Sequence, residues 1–71
     1  MKLVKFTNCV EGRQSDPIYI NIDHITAVYE DRNEGGGVST KIFGGYTGLL
    51  WTVEEGLSEV VKTINHAKEF N

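Results

Sequence analysis

Cysteine, proline, methionine and tryptophan occur once each in this chain of 71 residues. A single cysteine, Cys9, excludes an intrachain disulfide. Cys9, His24 and His66 are scattered, with no C-x-x-C or H-x-x-x-H spacing, so no metal site and no cofactor are expected. Long apolar runs are also missing. No stretch approaches the ~20 apolar residues that span a bilayer. The start, MKLVKFTNCVEGRQSD, carries an apolar run too short for the core of a signal peptide. The expectation is a cytoplasmic protein with Cys9 reduced. Basic residues are few: seven bases face ten acids, for a formal net charge of -3. The bases are spread singly along the chain, whereas phosphate binding draws most of its affinity from a basic stripe. Nucleic acid is therefore not the expected partner.

What is present fits one small β-rich domain over residues 1–71. A chain this short buries only about 60% of its unfolded surface, so its core is marginal. Small domains make up the deficit with disulfides, metals or partner subunits. The first two are absent from the sequence, which leaves self-association as the expected device.

Hydrophobic alternation marks the strands. In residues 2–8, Val4 and Phe6 share one face against Lys5 and Thr7. A polar loop over 11–16 ends at Pro17. In 18–22, Ile18, Ile20 and Ile22 oppose Tyr19 and Asn21. Asp23-His24 interrupts as a short turn or bulge, and 25–30, ITAVYE, resumes as a strand. Residues 31–37, DRNEGGG, read as a long hairpin loop. In 38–43, Val38, Thr40 and Ile42 oppose Ser39, Lys41 and Phe43. Gly44-Gly45 suits a tight turn with positive φ. Residues 46–52 form the last strand, with Gly48 at a bulge or close approach.

The chain ends in a helix. Leu57, Val60, Val61, Ile64 and Ala67 make one apolar stripe. Thr52 and Glu55 have capping-box spacing, Glu54 and Glu55 suit the positive end of the dipole, and Gly56 falls in the first turn at a cost of about 1 kcal/mol. The order β-β-β-β-β-α predicts an α+β, mainly β, fold. It is a strongly bent antiparallel sheet of about five strands, or a small open barrel, with one C-terminal amphipathic helix.

The glycine-rich stretch 35–48, GGGVSTKIFGGYTG, lacks the features of a phosphate loop: its lysine, Lys41, is mid-strand and no helix follows directly. Two hairpin turns explain it. Cys9 with Asp23-His24 offers a nucleophile and a base, but no catalytic signature surrounds Cys9. No catalytic residue is assigned and no enzyme is expected. The aromatics are more informative. Tyr19 and Phe43 alternate out of phase with the isoleucines of their strands, and aromatics on a second sheet face anchor interfaces or stack ligands. Glycines beside them let another chain approach the backbone. The candidate ligand- or partner-binding residues are Tyr19, Phe43, Gly44, Gly45, Tyr46 and Trp51. Trp51 has a second reading, as a wedge between helix and sheet.

The runs YINIDHITAVYE and VSTKIFGGYTGLLWTVEEGLSEVVKTI resemble a known pattern: a strand, an N-x-D-x-I turn, a strand, a variable hairpin, a strand ending in V-E-E, and a helix. The pattern is similar to the small flagellar-protein FlbD-like family and related short phage or bacterial proteins of unknown function. It covers about residues 17–65. Ile22, Ile25, Val53 and Val60 to Ile64 match as structural positions, and the Gly44–Gly48 turn is longer than the family's. The resemblance implies no catalytic residues. The LytTR type of DNA-binding domain shares the strand-turn-strand pattern, and the acidic balance argues against it.

The sequence thus points first to a non-enzymatic binding or assembly module acting as a homo-oligomer, a dimer by preference, with another protein as a further partner. A second expectation is a small-ligand binder, such as a phage-encoded protein that sequesters a nucleotide signal in a pocket across a subunit interface. A third is nucleic-acid binding by aromatic stacking.

Overall fold

In the computed structural model, which describes residues 2–10, 12–32, 35–45 and 48–69, the first four strands fall where the alternation predicts them, and the fifth begins at Leu49, with Gly48 in the turn before it rather than at a bulge within the strand. The strands are β1 (Leu3–Thr7), β2 (Pro17–Asn21), β3 (Ile25–Arg32), β4 (Val38–Gly44) and β5 (Leu49–Val53), followed by helix α1 (Leu57–Glu69). β3 runs two residues further than the apolar pattern, because Asp31 and Arg32 continue the ladder opposite Ser39 and Val38. The hairpin tip at Asn33 and Glu34 lies outside the described residues. Between β2 and β3, Ile22–His24 form a single 3-10 turn. Asn21 initiates it, its side chain accepting from the Asp23 N–H at 3.0 Å. A short polar side chain satisfying a free N–H is the ordinary way such turns begin.

The fold is mainly β with one C-terminal helix, and the strands make two antiparallel sheets, β1-β2 and β3-β4-β5. The sheets meet at one corner. Asn8 bridges to Val53, the Glu54 N–H donates to Thr7 O at 2.9 Å, and the Cys9 N–H donates to Thr52 O at 3.0 Å. β1 thus leaves β2 and passes to β5, which places the predicted bend at Thr7–Cys9. The array does not close into a barrel: β2 and β3 are joined only through the 3-10 turn, and α1 packs against β1, β3 and that turn.

Every element contributes to one core. Val4, Phe6, Ile20, Ile22, Ile42, Val53, Val60 and Ile64 are buried, with Ile18, Ile25, Val28, Trp51 and Ala67 packed around them. Burying each large side chain stabilises by about 1.5–3 kcal/mol. Of the predicted helix stripe, Val60 and Ile64 are buried, Leu57 and Ala67 are half-buried, and Val61 stays exposed. No helix among the described residues is long and apolar enough to cross a membrane.

The predicted capping box does not form. Thr52 is a β5 residue, and the helix begins at Leu57, with Gly56 supplying the carbonyl for the Val60 N–H. Glu55 instead turns back to β1, where its carboxylate accepts from both the N–H and the hydroxyl of Thr7, each at 2.9 Å. Glu54 accepts from the Ser15 N–H at 3.0 Å. These two acids tie the β5–α1 connection to the first sheet, and Ser15 holds a left-handed φ of 70° there. At the other end of the helix, Lys2 Nζ donates to Ala67 O at 2.7 Å, a cation on one of the last free carbonyls.

Candidate binding cleft

The ends of β2, β4 and β5 converge on the 3-10 turn. They leave a cleft of about 170 Å³ lined by Tyr19, Ile20, Asn21, His24, Gly44, Gly45, Leu49 and Trp51. Four of the six residues singled out by sequence, Tyr19, Gly44, Gly45 and Trp51, line this one space. Tyr46 lies outside the described residues.

The phase argument places Tyr19 correctly on the outer side of its strand. It is 60% exposed, while Ile20 beside it is 2% exposed. Trp51 behaves differently. It pairs across the ladder with Ile42 and packs on the core cluster. Its ring thus packs on the core and also lines the cleft. Leu49, two residues before Trp51 on the same face of β5, is 52% exposed, and Asn21 and His24 bring polar groups to the lining.

The glycines are needed here for reasons other than a left-handed turn. Neither Gly44 nor Gly45 has a positive φ; among the described residues of this hairpin the left-handed one is Gly48, at 67°. A Cβ on Gly44 would lie 2.7 Å from both Cη2 and Cζ3 of Trp51, so the indole lies directly on the Gly44 backbone. A Cβ on Gly45 would meet Thr26 Cγ2 at 3.0 Å. The Gly45 N–H donates to His24 O at 2.7 Å, which fixes the hairpin base to the 3-10 turn. The close approach that the sequence assigned to a ligand or second chain is thus made, at Gly44, by the protein's own tryptophan.

Phe43 belongs elsewhere. It faces the other side of β4, opposite Ala27 and Leu50 in the ladders, and is not part of the cleft wall. There Phe43, Leu50 and Tyr29 are 37%, 48% and 43% exposed and share the outer face of the three-stranded sheet with Lys41 and Thr52. Sequence reasoning did not single out Asn21, His24 and Leu49 as lining residues. Asp23-His24 signalled a turn, but nothing local shows that a turn faces a hairpin base 20 residues on.

Cys9 sits at the corner between the sheets and does not line the cleft. Among the described residues, no group of three or more His, Cys, Asp or Glu side chains has the geometry to hold a metal ion.

In comparisons with protein families, curated proteins and solved structures, nothing matches this chain.

Proposed function

We propose that this chain is a small non-enzymatic binding module that acts as a homo-oligomer, with the Tyr19–Trp51 cleft as its ligand- or partner-facing surface. One observation carries the reading: an exposed tyrosine, a tryptophan and an exposed leucine line one concavity together with Gly44 and Gly45. Tyrosine and tryptophan offer a large apolar body with one hydrogen-bonding group, which suits a surface that is wet when free and dry when bound. Exposed Tyr19, Leu49, Leu50 and Phe43 add apolar surface of the kind that marks interaction sites. We place the module in the cytoplasm, and kinship with FlbD-like proteins belongs to this proposal.

A second reading is a small planar ligand of nucleotide type, as a phage-encoded sequestering protein would hold. Its support is the combination of aromatic walls with Asn21 and His24 as hydrogen-bonding groups. A volume of about 170 Å³ is below the ~300–1,000 Å³ of pockets that enclose a drug-sized molecule. A single chain would hold one ring, and a second copy would have to complete the site.

Native mass spectrometry of the purified protein tests both readings. The expected result is an oligomer with or without a retained small molecule, and loss of any retained small molecule in Tyr19→Ala with folding and oligomer mass intact. A bare 7.9 kDa species, unchanged in the variant, would sink the proposal.

A further inference from the structure

We infer that a second copy of this chain docks by strand addition along the outer edge of β3, beneath helix α1. The inference rests on the homo-oligomer reading above and assigns it a surface distinct from the cleft.

β3 is an outer strand, paired on one side with β4. Among the described residues no other main-chain hydrogen bond involves Ala27–Asp31, so one row of their N–H and C=O groups faces outward. Such an edge is a template for another strand. The β2 edge is a poorer one, because β2 is five residues long and begins with Pro17, which has no N–H to give. β3 has eight residues and no proline; its only irregularity is a register shift between Ile25 and Ala27.

Helix α1 makes this edge a groove. One hollow is lined by Ile25–Val28 of β3 and by Val61, Ile64, Asn65 and Lys68 of α1. Another is lined by Glu30 of β3 and by Gly56–Ser58, Val61 and Lys62. Val61 is common to both. It is the one member of the helix stripe that the chain's own sheet leaves exposed, at 38%.

Charge and register favour a second copy as the occupant. The hollow over Ile25–Val28 is lined by a base, Lys68, and by no acid, whereas Glu30 lines the other hollow beside Lys62. An antiparallel copy of β3 sets its own Glu30 toward the Lys68 end. With the ladder centred on Tyr29, Val28 faces Glu30 of the second copy, Ala27 faces Asp31, and Tyr29 faces its own equivalent. No like charges are opposed. Glu30 of the second copy enters the hollow that Lys68 lines, and the two tyrosines form an aromatic cross-strand pair. The two-fold axis that this register requires passes through the tyrosine pair and uses every other contact twice. Exposed Val61 then lies over the added strand, in the manner of grooves that bind an extended segment between a strand and a helix.

The experiment compares wild type, Val61→Glu and Tyr19→Ala by light scattering, with amide hydrogen exchange of the wild type at low and high protein concentration. Thermal melting confirms that each variant folds. The expected result is a wild-type mass of twice 7.9 kDa that falls to the single-chain mass in Val61→Glu and persists in Tyr19→Ala. Exchange protection at Ala27–Asp31 should rise with concentration. An oligomer that survives Val61→Glu, or β3 amides whose protection is independent of concentration, overturns the β3 interface and leaves the homo-oligomer reading intact. A wild type that stays at 7.9 kDa at all concentrations overturns both.

Discussion

The indole of Trp51 lies directly on the backbone of Gly44, close enough that a β-carbon there would sit 2.7 Å from two ring atoms. Glycine at 44 is therefore a packing requirement. Replacing it with alanine forces the ring off Ile42 or bends the end of β4. Gly44→Ala is expected to cost about 1–3 kcal/mol, the range of overpacked sites, and to change the tryptophan fluorescence. Chemical denaturation with an emission spectrum of the folded state checks both.

Gly56 gives a different expectation. An added Cβ meets nothing within 4 Å, and φ is not positive. Gly56 is also the N-cap of α1, a position that favours glycine over alanine, so in Gly56→Ala the lost cap offsets the ~0.4–1 kcal/mol gained from unfolded-chain entropy and stability should change by less than about 1 kcal/mol. A larger loss on thermal melting would show that residue 56 needs glycine for another reason.

The helix stripe is graded. Ile64 is 8% exposed and packs in the core, while Leu57 is half-buried at the first turn. Ile64→Ala is expected to cost about 2–5 kcal/mol, a large share of the stability of a domain this small, and Leu57→Ala clearly less. Urea titrations of the pair measure the order, and equal losses would contradict it.

Glu55 joins the β5–α1 connection to β1 through two hydrogen bonds to Thr7. Bonds to a charged group contribute about 1.5–3 kcal/mol when well formed, and this one is only partly buried. Glu55→Ala should destabilise by about 1–3 kcal/mol. If Thr7→Ala is measured alongside, the double variant should lose less than the sum of the singles. Strict additivity would mean the contact contributes nothing.

Binding to DNA or RNA, if detected, should be weak and disappear as salt rises, since seven dispersed bases against ten acids offer few phosphate contacts. A fluorescence anisotropy titration at several salt concentrations decides this; tight, salt-resistant binding would reverse the reading.

Local pattern determined the strands, the helix and their order. Side-chain alternation in IYINI and VSTKIF reports which residues turn inward whatever the strands pair with, so Tyr19 and Phe43 were both legible as outward-facing. Alternation does not say which strands meet. The sequence therefore grouped Phe43 with the residues around Tyr19, and the structure puts it on the outer face of the other sheet, beside Leu50. Similarly, T-x-x-E spacing before an apolar stripe reads as a helix cap, but Glu55 finds its partners 48 residues away in β1. A glycine pair before a hairpin reads as left-handed backbone, but neither Gly44 nor Gly45 has a positive φ, and Gly44 makes room for an indole. Each of these outcomes depends on a contact between segments far apart in sequence. Periodicity is a property of one strand or one helix, and only tertiary packing decides what each exposed or small residue faces.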